Sequence, residues 1–299
     1  MSDINTKLLL SSFVFRTIGL FMGSLLFMPT QSQASDTTLD RIAATNTFVV
    51  GYRAEKSPFS FVTPEGQIKG YSIDLCKGVH QALKKKLGKP DLKIKFVEVT
   101  HDSRFDLVLR NKIDIVCGTT SWTLGRQAKV GFSLLTYVTG AEMLVKDDSR
   151  IRSLKSLGGK KIAVTHGTRT ADIIEKRLKR DIIDAELITF EHSPDALKAL
   201  ENREVEAFIA DRILLIALLD EAKAPDDLKL VNRFYSYDPY ALMFDRKSLD
   251  FKLLVDRHLA GLYRSKKTIE LFDKWFSHMG IRSNENIIRA MYKLQGIPE

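Results

Sequence analysis

Arginine suits a carboxylate better than any other side chain, because its planar guanidinium donates two parallel hydrogen bonds. This chain puts Arg53, Arg104, Arg126 and Arg169 just beyond apolar runs that read as strands, where open α/β sheets bind ligands. Each keeps small polar company. Ser57-Pro58-Phe59 follows Arg53, Thr100-His101-Asp102-Ser103 precedes Arg104, and Gly118-Thr119-Thr120-Ser121 lies shortly before Arg126. Thr165-His166-Gly167-Thr168 leads into Arg169. Helix starts rich in Ser, Thr and Gly present backbone N–H groups that also favour anions. Glu191-His192 follows one more run, and Asp211 ends another, an acid placed to meet an ammonium. A molecule with an ammonium and one or two carboxylates matches this set. Four arginines against Asp211 leave the site strongly cationic, and a neutral amino acid would strand buried guanidinium groups at a cost of several kcal/mol each. The expected ligand is therefore acidic. An exposed Arg53 or Arg169 that only steers an anion inward remains a second reading of those two positions.

Strands and helices in alternation must carry these residues. Residues 47–51 read as a strand ending at Gly51, 73–87 as a helix with Leu75, Val79, Ala82 and Leu83 on one face, and 92–99 as a strand. A short helix at 104–110 and a strand at 114–117 follow. After a turn at 154–159 the pattern restarts, with strands at 161–164, 186–190 and 205–210 and helices at 170–179, 194–201 and 213–222. A last strand is expected at 241–244, and a helical stretch at 249–276 in which Trp275 and Phe276 pack down. Alternation of this kind implies parallel-type sheets flanked by helices. No Gly/Ser tether separates the two units, so they should hinge against each other as lobes of one body.

Composition narrows the class further. The formal charge of +9 on 299 residues suits attraction of an anionic ligand or an acidic partner surface. Lys84-Lys85-Lys86 and Lys266-Lys267 read as solvated helix faces, and no aromatic-basic module accompanies them, which argues against nucleic acid. At the start, Lys7 and Arg16 precede a short apolar run at 18–28 and the small residues Ser32-Gln33-Ala34. That is the pattern of a cleaved secretory signal peptide over 1–34, and the run is shorter than the roughly 20 residues a membrane span needs. Cys76 and Cys117 are the cysteines of the chain. An oxidising compartment permits a bridge between them, while the apolar setting of Cys117 suits a buried thiol equally well. Neither makes a zinc site, and no cofactor is expected.

Several runs together resemble a known family. Gly51-Tyr52-Arg53-Ala54-Glu55-Lys56-Ser57-Pro58-Phe59-Ser60, then Gly70-Tyr71-Ser72-Ile73-Asp74, are similar to the periplasmic polar-amino-acid binding proteins of ABC importers. Asp114-Ile115-Val116-Cys117-Gly118-Thr119-Thr120-Ser121 with Arg126-Gln127, and Phe272-Asp273-Lys274-Trp275-Phe276, agree with it. The resemblance, to solute-binding protein family 3 and within it to the glutamate/aspartate-binding branch, covers the chain after the leader. It implies an α/β periplasmic-binding-protein-like fold, two lobes joined by a two-strand hinge with the ligand cleft between them. The first lobe would hold 35–141 and 239–299 and the second 142–238, with crossovers near 139–143 and 238–242. By position Arg126, with Thr119 and Ser121, would clamp the α-carboxylate and Asp211 the α-ammonium. Arg53 and Arg104 would face the side-chain carboxylate, while Thr168 and His192 complete the cage from the second lobe. His101 and Arg169 depart from the branch, which has a small hydroxyl residue and a threonine there. The implied protein is a periplasmic monomer that gives an amino acid, glutamate or aspartate, to an ABC permease. The alternatives are a cyclohexadienyl-dehydratase-like enzyme using His101, His166 or His192, a binder of a non-acidic amino acid, and a sensor.

Overall fold

A computed structural model describes residues 37–281 and 286–298. The expected signal peptide lies outside the described residues. Within them no helix is long and apolar enough to cross a membrane. Strands run in chain order as β1 Thr47–Tyr52, β2 Glu55–Lys56, β3 Ser60–Val62, β4 Ile68–Lys69, β5 Lys93–Glu98, β6 Ile115–Cys117 and β7 Gly131–Thr139. They continue as β8 Ala141–Lys146, β9 Lys161–Thr165, β10 Glu186–Phe190, β11 Ala207–Asp211, β12 Leu228–Leu230 and β13 Asp238–Phe244.

Two five-stranded sheets result, in the orders β5-β1-β6-β13-β7 and β10-β9-β11-β8-β12. Each contains a parallel trio, β5-β1-β6 and β10-β9-β11, as the alternation of strands and helices requires. Strands β13 and β8 run against their trios, whereas β7 and β12, antiparallel to β13 and β8, run with them, so the expected parallel-type sheets are mixed. The reason is the path of the chain. It leaves the first sheet along β7, enters the second as β8 after Gly140 alone, and returns as β13, so β8 and β13 are the strands that lie antiparallel to the trios. Gly140 permits this passage, because a Cβ there would stand 2.2 Å from the carbonyl oxygen of Ser236 on the returning segment.

Helices cover the sheets where their apolar faces predict. Helix Tyr71–Leu87 buries Leu75, Val79 and Leu83 and stops at Gly88, left-handed at φ 63°, whose N–H reaches the Lys84 carbonyl. Lys84, Lys85 and Lys86 stand in its last turn, where positive charge suits the helix dipole. The stretch 249–276 is two helices, Leu249–Tyr263 and Lys267–Phe276. The Ser265 and Thr268 hydroxyls both donate to the Leu262 carbonyl and so compete with a continuous helical ladder. Phe272 and Phe276 are fully buried there. With Phe59, Tyr71, Tyr137 and Tyr240 they form one aromatic cluster, Phe59 lying 5.1 Å from Tyr137 and 5.4 Å from both Tyr240 and Phe276, ring centre to ring centre. That cluster fixes the loop after β1 against both crossing strands. Cys76 and Cys117 are joined as a disulfide between helix Tyr71–Leu87 and the end of β6, which settles the choice left open by the sequence.

Candidate functional site

The carboxyl ends of both parallel trios meet at a cleft of about 440 Å³ of free space, its open mouth included. From the first sheet His101, Arg104, Thr119, Ser121 and Arg126 line it, and from the second Thr168, Arg169 and Asp211. The sequence reading had singled out all of these. Thr165 and Thr170, of the strand-end run around Arg169, stand on the same walls, together with Lys56, Ser193 and Leu214, which were not expected there. Lys56 stands three residues past Arg53 in the same strand-end loop, and Ser193 directly follows His192, so adjacency to the chosen residues was the available signal.

Arg104 is buried, and its Nη1 donates both to the His101 carbonyl at 2.7 Å and to His101 Nδ1 at 2.8 Å. A guanidinium only donates, so Nδ1 accepts and the imidazole proton sits on Nε2. His101 Nε2 and Arg104 Nε are both buried without a hydrogen-bond partner, and among the described residues the only other such side-chain atom is the Tyr235 hydroxyl. Burial, then Arg126 and Arg53, pull Arg104 well below its ordinary range. Burial, then the surrounding cations, push His101 down and keep its ring neutral. Arg126 donates from Nη1 to the Ser121 carbonyl at 3.1 Å and is also pulled down by burial. The Phe105 ring carries both guanidinium groups, with Arg104 4.9 Å and Arg126 5.8 Å from its centre. An arginine keeps its proton at neutral pH, so only an anion can relieve this crowding.

The second wall is held from its helix starts. Thr168 caps helix Arg169–Arg180, its hydroxyl accepting the Ala171 N–H at 3.2 Å. Asp211 accepts from the Thr170 hydroxyl at 2.7 Å and from the Tyr240 hydroxyl on β13. Burial and then Asp238 raise its carboxyl above the ordinary range. Arg169 donates to the Tyr237 carbonyl at 2.8 Å and pairs with the wholly buried Asp238. Its charge is thus answered within the protein.

Two of the expected ligand contacts stand elsewhere. Arg53 is buried beneath the Gly118 loop, where a Cβ on Gly118 would come 3.1 Å from its Cγ, and its Nη2 lies 3.9 Å from Glu55. His192 is 63% exposed and off the cleft wall, with Nδ1 2.7 Å from Glu55. Both have the same acid, Glu55, as a neighbour. Glu55 stands on β2, in the small sheet β2-β3-β4 beside the first wall, and His192 precedes helix Ser193–Glu201 of the second, so this pair is a seam across the cleft. Lys56 Nζ to Ser193 Oγ at 2.7 Å and Asp102 to His166 at 3.5 Å extend it. Among the described residues no group of three or more His, Cys, Asp or Glu could hold a metal ion.

Comparison with known proteins agrees with this architecture. The profile of the bacterial extracellular solute-binding proteins, family 3, matches residues 48–278. A glutamate/aspartate import solute-binding protein of Salmonella typhimurium is 33% identical over 245 residues, 82% of this chain and 81% of the relative. An L-glutamate/L-aspartate-binding protein of Pseudomonas aeruginosa is 31% identical over 282 residues, 93% of each chain. Among solved structures, a mutant of ArgBP from T. maritima superposes with a TM-score of 0.71 at 26% identity, covering 80% of this chain and 99% of that one. Fold, cleft and relatives agree, and the chain belongs to the bacterial extracellular solute-binding proteins, family 3.

Proposed function

We propose that this chain captures a dicarboxylic amino acid, glutamate or aspartate, outside the cytoplasm and delivers it to an ABC importer. The observation that carries the reading is the pair of partnerless buried donors, His101 Nε2 and Arg104 Nε, in a cleft whose cations exceed its acids. Lys56, Arg104 and Arg126 face Asp211 there, while Arg169 is already paired with Asp238. Two carboxylates and one ammonium answer that charge pattern, and the names of the two bacterial relatives support the same ligand class. In this reading Arg126, Thr119 and Ser121 take the α-carboxylate, Asp211 the ammonium, and Arg104 with His101 the side-chain carboxylate. Thr168 and the start of its helix add donors from the second wall. The moving bodies are 35–141 with 239–299, and 142–238, turning about Gly140 and the returning segment. The protein acts as a periplasmic monomer after loss of residues 1–34, and its bound form docks on the permease. The names of the relatives, which are solute-binding proteins, support capture over catalysis. His166 and His192 lie off the cleft wall, and His101 holds its proton on the nitrogen that faces a ligand.

The test is a thermal-shift screen of unfolded and refolded protein, from Ser35 onward, against the twenty amino acids and simple dicarboxylates. Ligand at about 1,000 times Kd stabilises by roughly 4 kcal/mol, a Tm rise of about 8–16 °C for a protein of this size. A selective rise with aspartate or glutamate is expected. A rise with amides or basic amino acids in their place sinks the acidic assignment.

A further inference from the structure

Lys56 adds to the cleft's charge but is matched to no single ligand group in the site assembled from Arg104, Arg126 and Asp211. It is 2% exposed, lines the cleft, and stands on β2, a two-residue strand between the Arg53 loop and the Ser57-Pro58-Phe59 turn. Its ammonium donates to Ser193 Oγ of the opposite wall at 2.7 Å and lies 3.4 Å from Glu55. Glu55 is a shared partner, since it also meets Arg53 at 3.9 Å and His192 at 2.7 Å. One carboxylate among three basic groups answers an ammonium poorly, and an ammonium has three donors to place. Burial, opposed by Glu55 and assisted by Arg53, lowers the Lys56 pKa to about 8, as expected for a cation short of anionic partners.

We infer that Lys56 is a specificity-determining residue, which reads negative charge on the ligand's distal group and admits an acid where it resists the matching amide. The inference rests on the acidic-ligand reading above and deepens it. Arg126 answers one carboxylate and Arg104 the other, so Lys56 is a third buried cation on the same walls. Its charge is met only when the distal group is fully ionised. Because the same ammonium is bonded to Ser193, a distal anion meets it where both walls come together. An amide at that place offers one weaker acceptor and brings N–H groups toward three cations.

The experiment is titration calorimetry of wild type, Lys56→Met and Lys56→Arg with aspartate, glutamate, asparagine and glutamine, each protein first checked for its thermal midpoint without ligand. Expected in Lys56→Met is a loss of at least about tenfold in affinity for the acid, the scale of one charge-assisted hydrogen bond. Affinity for the amide should change less than about threefold, and Lys56→Arg should keep the wild-type preference within about threefold. Parallel loss for acid and amide in Lys56→Met makes Lys56 a seam residue only and overturns the inference. So does an unchanged acid-to-amide ratio. A wild type that already prefers the amide overturns the acidic-ligand reading itself, and the ratio in wild type therefore tells the two failures apart.

Discussion

Burying Arg104 beside Arg126 leaves two charges that neutral pH cannot remove, whereas the other ionisable groups of the cleft do titrate, and their signs differ. Lys56 titrates at about 8 in the free protein, and an anion beside it raises that value. Above pH 8 binding must therefore take up a proton, and affinity for aspartate or glutamate should fall by up to tenfold per pH unit. Asp211 works the other way. Burial and Asp238 raise its carboxyl, and it meets an ammonium only when ionised, so binding at low pH releases a proton and affinity climbs until Asp211 is ionised. The expected profile is a plateau between these limbs. Calorimetry from pH 5 to 9.5 in two buffers of different ionisation enthalpy measures both protons directly, and no proton uptake above pH 8 would sink the placement of Lys56 beside the anion. In the free protein the sign reverses. The penalty for burying the Lys56 ammonium is full below pH 8 and is relieved as pH rises toward the ordinary lysine value of about 10.4. The cleft arginines and hydroxyls were legible because a strand end followed by Thr, Ser or Gly has few other uses. That Arg53 and His192 share Glu55 as a neighbour could not be read, because nothing along the chain brings the two together.

At the scale of elements, what can be read is what repeats. Helix Tyr71–Leu87 and strands β1, β5 and β9–β11 carry their periodicity over five residues or more, and each lies within about two residues of its expected bounds. Strands β2, β3, β4 and β12 hold two or three residues each, too few to show alternation, and nine-residue β7 is buried in runs that do not alternate, so none of these was expected, whereas short β6 stood out as a wholly apolar run. The disulfide was equally illegible, because only the packing of helix Tyr71–Leu87 on β6 brings Cys76 and Cys117 to a Cα separation of 6.4 Å. It ties down the strand end that leads into Gly118 and Thr119, and the Ser72 hydroxyl, donating to the Gly118 carbonyl at 2.9 Å, is a second tether. With a sequence separation of 41 between its ends, the bridge should contribute about 2–4 kcal/mol by restricting the unfolded chain. Replacing both cysteines by alanine should therefore lower Tm by roughly 4–16 °C. Affinity should change less than about threefold, because Ser72 still holds the loop. Scanning calorimetry with and without reductant checks this for the unaltered protein, and a midpoint indifferent to reductant would show that the bridge carries no stability.

The two walls of the cleft touch along a rim of loops and helix starts, where Glu55 meets His192, Lys56 meets Ser193 and Asp102 meets His166. A ligand gripped by both walls favours whatever form joins them, by as much as its contacts to the two walls together exceed those to one. Gly167 offers a way to test that without touching the cleft lining. It stands in the left-handed region at φ +65°, and a Cβ there would come 2.8 Å from the His101 Cβ on the opposite wall. Gly167→Ala should therefore cost about 1–2 kcal/mol of local backbone strain in any form of the protein, and in addition hold the rims apart. The two effects separate by experiment. Strain lowers the urea midpoint of the ligand-free protein, whereas a blocked rim lowers affinity in proportion to the lost population of the joined form. We expect wild type to contract in small-angle X-ray scattering when its ligand is added. Gly167→Ala should contract less and bind at least about tenfold more weakly, the effect of reducing the competent form to a tenth. A variant that loses stability yet contracts and binds like wild type would show that the rims need not meet in the bound state. The seam residues would then be features of the free protein, and the hinge at Gly140 would have no part in capture.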